Sequence, residues 1–144
     1  MSEPSTSTTS GTQDRQVVVG FLPSPEGEAA VDAALAEAAA RSLPLVVVNG
    51  SRGGAPIDTH LADDTRLSAI HSRAAAAGVA VEIRQPSGHD PIEELLALSH
   101  QASTALLVIG LRRRSPVGKL LMGSSSQRLL LEAECPVLAV KSAR

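Results

Sequence analysis

Aromatic side chains are almost missing from this chain. Phe21 stands alone, with no tryptophan and no tyrosine. A core built from this sequence has to be aliphatic, made of Val, Leu, Ile and Ala. The same lack excludes modules that hold single-stranded nucleic acid by stacking bases on aromatic rings. An excess of one charge is missing too. The formal net charge is −2, so no global basic field attracts nucleic acid, and none is expected as a partner. Cys135 is the only cysteine, which rules out an internal disulfide and a thiolate metal cluster and fits a reducing cytoplasm. No apolar stretch approaches the roughly 20 residues that cross a bilayer. The first fifteen residues, MSEPSTSTTSGTQDR, hold no apolar run at all, so neither a signal peptide nor a membrane anchor is expected.

What is present suits one folded domain. The chain has 144 residues, 43 % of them hydrophobic, enough for a single core. Residues 1–15 are rich in Ser and Thr and have little to bury, so they read as a disordered tail before a domain over 16–144. VVVGFL then forms a short apolar run without alternation, the pattern of a strand buried on both faces. Ser24-Pro25-Glu26 starts a helix: Ser caps, Pro takes the first turn and Glu meets the positive end of the dipole. Val31, Ala34, Leu35 and Ala38 make its apolar stripe.

LPLVVVNG, 43–50, predicts a second buried strand. A polar loop follows to about residue 60, then a helix over 61–77 with Leu67, Ile70, His71 and Ala74 on one face and Gly78 as its stop. VAVEIR, 79–84, alternates as an edge strand does. Asp90-Pro91-Ile92-Glu93 starts the next helix in the pattern of a capping box, and that helix runs to about Ser103. ALLVIG, 105–110, is a further buried strand. Ser124-Ser125-Ser126-Gln127 repeats the capping-box pattern before a helix to about Glu134, and 136–140 closes the chain as a strand. This order, β-α-β-α-β-α-β-α-β, predicts an α/β fold with a doubly wound parallel sheet, right-handed crossovers and helices on both faces.

Open parallel sheets bind ligands beyond the carboxyl ends of their strands, where the strand order reverses. If the first and fourth strands meet there, two loops converge. One is Leu22-Pro23-Ser24. The other is GLRRRSPVGKLLMGSSSQ, 110–127. Gly110 can take positive φ or admit a ligand to the backbone. Gly123 precedes a helix whose first N–H groups and positive dipole end favour an anion. Ser124, Ser125 and Ser126 add hydroxyl donors, and Arg112, Arg113, Arg114 and Lys119 add positive charge. These residue types suit a phosphate. A plain surface loop accounts for them as well, because every helix needs a cap and arginines solvate readily.

Missing motifs narrow the chemistry. Gly118-Lys119 is followed by Leu120 where a Walker loop needs Ser or Thr. No GxGxxG follows the first strand, and no GxSxG elbow occurs. His60, His71, His89 and His100 show no metal-ligand spacing. His71 reads as packed on its helix face, and Cys135 as a buried thiol before Pro136. No catalytic base is evident, so the protein is not expected to be an enzyme, and no metal-binding residue is assigned.

The segment resembles the phosphate loop of the universal stress protein family. That loop reads Gly, two residues, Gly, nine residues, Gly, then Ser or Thr. Here Gly110 is followed by two residues, Arg113, nine residues, then Gly123-Ser124. SPEGEAAVDAAL is similar to the family's first helix, ALLVIG to its fourth strand and CPVLAVK to its last. The likeness spans about 16–141.

The resemblance implies a five-stranded sheet of order 3-2-1-4-5, a cytoplasmic role in stress survival and commonly a homodimer, for which the apolar last strand, 136–140, can pair across a two-fold axis. It also implies ATP or a related adenine nucleotide across the ends of the first, second and fourth strands, with magnesium as its companion. Val48 would then lie near the adenine, and Gly110, Gly123, Ser124 and Ser125 would face the phosphates. The sequence departs from the pattern in three places. Leu22 stands where nucleotide-binding members carry Asp, Pro23 where they carry Gly, and Arg113 at the middle Gly. Arg113 either fills the phosphate space or clamps the phosphates with its guanidinium. Two readings therefore stand: a nucleotide-binding regulator and a dimeric interaction module without nucleotide.

Overall fold

Strands read from unbroken apolar runs come out buried on both sides. Val17, Val18 and Val19 have no exposed surface, and Val46, Val47 and Val48 are almost as deep. The computed structural model describes residues 15–22, 24–50, 57–86, 90–111 and 124–142, with main chain alone at 57–63. In chain order the elements are β1 (Gln16–Phe21), α1 (Pro25–Arg41), β2 (Leu45–Asn49), α2 (Ile57–Ala77), β3 (Val81–Arg84), α3 (Pro91–Ser99), β4 (Thr104–Leu111), α4 (Ser124–Glu132) and β5 (Val137–Lys141). The five strands form one sheet of order β3-β2-β1-β4-β5, and every pairing is parallel. This is the doubly wound architecture that the alternation predicts.

The alternating pleat of each central strand serves two cores. Val17, Val19, Phe21, Leu106 and Val108 face α1 and α2, where Ala30, Val31, Ala34 and Ile70 meet them. Val18, Val46, Val48, Leu107 and Ile109 face α3 and α4, where Leu95, Leu98 and Leu129 meet them. Small alanines on α1 let that helix lie close to the sheet, which a core nearly free of aromatic rings requires. The first helix begins as its sequence dictates: the Ser24 hydroxyl accepts the Gly27 N–H at 3.1 Å. It ends at Ser42, which takes a left-handed φ of 57° and donates its N–H to Ala38 and Ala39 carbonyls. Gly78, at φ 73°, ends α2 as expected.

Several local expectations need correction. Helix α2 begins at Ile57, not near residue 61. His71 is exposed, while Leu67, Ile70 and Ala74 carry the packing. Asp90 caps α3, but its carboxylate accepts the Ile92 N–H at 2.9 Å, and Glu93 turns away to pair with Arg128 of α4 at 2.7 Å. That bond to Glu93 holds the Arg128 guanidinium above its ordinary pKa. Helix α3 stops at Ser99, not at 103. There the buried Ser99 hydroxyl donates to the Leu96 carbonyl at 2.7 Å and accepts the Glu134 N–H at 3.4 Å. Ser124 is the first residue of α4 and not the residue before it. Cys135 is half-buried, with desolvation raising its thiol pKa.

The tail at 1–14 and the loop at 51–56 lie outside the described residues. No helix among the described residues is long and apolar enough to cross a membrane.

Candidate functional site

The sheet order makes β1 and β4 neighbours while their crossovers leave in opposite directions, so their carboxyl ends open a cleft that no helix among the described residues fills. A cavity of about 300 Å³ lies there. Its floor is Gly20 and Phe21 of β1, Val48 of β2, and Ile109 and Gly110 of β4. Three helix N-termini form its walls. Helix α1 contributes Ser24, Glu26 and Gly27, α3 contributes Pro91 and Ile92 behind Asp90, and α4 contributes Ser125 and Ser126. Leu22, Gly50, Leu95 and Leu129 complete the lining.

Glycines make this convergence possible. A β-carbon on Gly27 would overlap the Leu22 carbonyl, and one on Gly110 would overlap the Glu26 carbonyl. A β-carbon on Gly20 would come within 2.9 Å of the Leu95 Cδ1. Of the two uses the sequence left open for Gly110, positive φ and a close approach to its backbone, positive φ is not the one adopted. Among the described glycines only Gly78 has positive φ, and Gly110 is small because the first turn of α1 rests on it. The Gly50 N–H bonds to the Phe21 carbonyl at 2.8 Å, which ties the end of β2 to that of β1. Ser24 is bound in the same way, its N–H donating to the Leu22 carbonyl at 2.8 Å.

The chemistry of the cavity is mixed. Val48, Phe21, Ile92, Leu95, Ile109 and Leu129 give it an apolar interior that suits a heteroaromatic ring. The α4 rim offers the Ser125 and Ser126 side chains beside the first N–H groups of a helix, which have no partner within the helix itself. Asp90 is committed to the Ile92 N–H. Among the described lining residues there is no Lys, Arg or His, and the carboxylates are Glu26 and Asp90. Among the described residues no group of three His, Cys, Asp or Glu side chains can hold a metal ion.

Of the residues singled out in the sequence, Val48, Gly110 and Ser125 meet at this cavity. Ser124 starts the helix beside it but does not line it. Arg113, Gly123 and Pro23 lie outside the described residues, as do Arg112, Arg114 and Lys119. Sequence reasoning missed Gly20, Gly50 and the start of α3. The signal for Gly20 was present, since a glycine inside a strand marks a close approach. No comparable signal places α3, because its position depends on the crossover from β3.

The universal stress protein family model matches residues 15–141. A universal stress protein of Mycolicibacterium smegmatis (strain ATCC 700084 / mc(2)155) is 46 % identical over 125 residues, which cover 87 % of this chain and 96 % of that protein. Among solved structures, a universal stress protein from Archaeoglobus fulgidus superposes with a TM-score of 0.71 at 27 % identity, covering 88 % of this chain and 98 % of that one. A universal stress protein solved in complex with cAMP superposes with a TM-score of 0.66 at 29 % identity, covering 90 % of this chain and 98 % of that one.

Proposed function

This chain belongs to the universal stress protein family, and from that membership and the shape of its cavity we propose that it binds an adenine nucleotide. One observation carries the reading. Val48 and the apolar ends of β1 and β4 make a slot for a flat base, and Ser125 and Ser126 at the α4 N-terminus stand on the same cavity where a phosphate would follow. The cAMP complex of a structural relative supports this choice of ligand class. ATP, ADP, AMP and cAMP are the candidates. Magnesium would come with a polyphosphate and be held by its oxygens, since Leu22 brings no carboxylate to the end of β1.

The role is regulatory binding in the cytoplasm under stress, without turnover. Asp90, a carboxylate at the cavity, is already bonded as a helix cap, and no paired nucleophile and base occur among the described lining residues. Calorimetry of the full chain with ATP and with cAMP, with and without magnesium, tests the reading. Binding with unchanged nucleotide recovered afterwards is expected. Absence of both heat and thermal shift at millimolar nucleotide removes it.

A homodimer is the second part of the proposal. β5 is the outer strand, its Val137, Leu138, Ala139 and Val140 are only half-buried, and Leu131 on the adjacent α4 is 84 % exposed. Such an edge invites pairing with a second copy. Sedimentation at micromolar concentration should give a dimer, and a monomer would leave this part without support.

A further inference from the structure

We infer that Arg128 is a positioning residue for the cavity: its ion pair with Glu93 sets the stance of α4 against α3, and through it the affinity for ligand. This rests on the nucleotide reading and adds to it the contact that tunes the site. The two helices line the cavity with unequal support. Helix α3 buries Leu95, Leu96, Leu98 and Ser99. Asp90 caps its start, and Arg84 of β3 binds Glu94 in its first turn at 3.1 Å. Helix α4 has far less. Of its described side chains Leu129 alone is buried, and Leu130 packs only in part against the same core. A helix with so little buried apolar surface is among the first elements to open locally, so one ion pair can decide where it stands.

Arg128 makes that pair from a suitable place. One Nη lies 2.7 Å from the Glu93 carboxylate in the first turn of α3, and the Nε lies 3.5 Å from Glu132 on its own helix. Neither Arg128 nor Glu93 is among the described lining residues, but each is next in sequence to one that is, Leu129 and Ile92. Ser125, one turn before Leu129, shares its face of α4 and also lines the cavity. The pair therefore holds Leu129 and Ser125 in place relative to Ile92, and losing it lets that wall shift. Apparent affinity falls with the fraction of molecules in the competent arrangement.

Isothermal titration of the full chain with adenosine and with cAMP tests the inference. Adenosine is the telling ligand, because it carries no charge for an arginine to attract. Arg128→Met and Glu93→Gln should each weaken both ligands alike, by about two- to fivefold, the range expected of an exposed pair. The double variant should be no weaker than either single one, which marks a shared contact. Arg128→Lys keeps the charge and should lose less than Arg128→Met. Glu132→Gln removes the partner on α4 itself and should change affinity by less than about twofold. Raising sodium chloride from about 0.05 M to about 1 M shortens the screening length to about 3 Å, so the advantage of the unaltered chain over Arg128→Met for adenosine should shrink. Thermal unfolding of each variant checks that it is folded. Adenosine affinity unchanged in both Arg128→Met and Glu93→Gln overturns the inference, and so does a loss confined to cAMP, which would mean a direct pull on phosphate. If the unaltered chain binds neither ligand, the nucleotide reading itself falls and this inference with it.

Discussion

Gly110 of β4 lies under the Glu26 carbonyl of α1 with no room between them for a β-carbon. A crossover helix and a strand far from it in sequence are thereby locked together at the carboxyl end of the sheet. Gly110→Ala must push the first turn of α1 away, and overpacking of this kind costs about 1–3 kcal/mol. Urea unfolding should show that loss together with weakened nucleotide binding. Gly78→Ala is the contrast. Its φ of 73° is left-handed but nothing stands within 4 Å of the added carbon, so it should cost about 1 kcal/mol and leave binding alone.

The Ser24 cap can be removed without filling any space. Its hydroxyl accepts the Gly27 N–H, and Ser24→Ala should lower stability by about 0.5–2 kcal/mol, whereas Ser24→Gly should cost only a few tenths. Thermal melts of the two variants measured side by side give the comparison. Equal losses would mean that the hydroxyl contributes nothing.

The strands and their faces were legible in the sequence for a plain reason. A strand covered on both sides needs apolar residues throughout, and VVVGFL, LVVV and ALLVIG leave no other reading. Helix starts with Ser-Pro and Asp-Pro were equally clear. The start of α2 was not, since Asp58, Thr59 and His60 add no apolar stripe to mark its first turn. His71 was misplaced because, among the described side chains of α2, the buried ones form a narrow line, Leu67, Ile70 and Ala74. At the site, Gly110 was found from its place where the loop leaves the fourth strand, and Val48 through the family pattern. The reason for Gly110 was not, because a clash between elements far apart in sequence leaves no periodic trace. Glu26 was read as a helix-start charge, which it is, and its place on the cavity needed the packing of α1 over β4.

Leu22 is half-exposed at the cavity mouth, so Leu22→Asp should change stability by less than about 0.5 kcal/mol. Its effect on ligands should be larger. A carboxylate at the cavity mouth should weaken ATP binding in the absence of divalent cations, and magnesium should restore it, because the carboxylate and the phosphates together offer oxygen ligands. Titrations with and without magnesium would show this, and a variant indifferent to magnesium would contradict it.

Desolvation raises the Cys135 thiol pKa in the folded chain. An unfolded thiol loses its proton near pH 8.5, so between that pH and the higher folded value the unfolded state is favoured. The stabilisation present below pH 8 should therefore decline as pH rises through this window. Comparing urea midpoints of the unaltered chain and Cys135→Ser at pH 7 and pH 9.5 isolates the contribution. The difference between them should shrink or reverse at the higher pH, and a constant difference would refute the assignment. The thiol should also react more slowly with a disulfide reagent at pH 8 than it does in urea.

The central claim is that the cleft between β1 and β4 receives an adenine nucleotide. Amide chemical shifts of the isotope-labelled full chain, followed during titration with cAMP, test it most directly. The account predicts saturable shifts at Gly20, Leu22, Val48, Gly50, Gly110 and Ser125, with the β3 edge and the far end of α1 unmoved. A spectrum unchanged at millimolar ligand, or shifts confined to another face of the sheet, would contradict it.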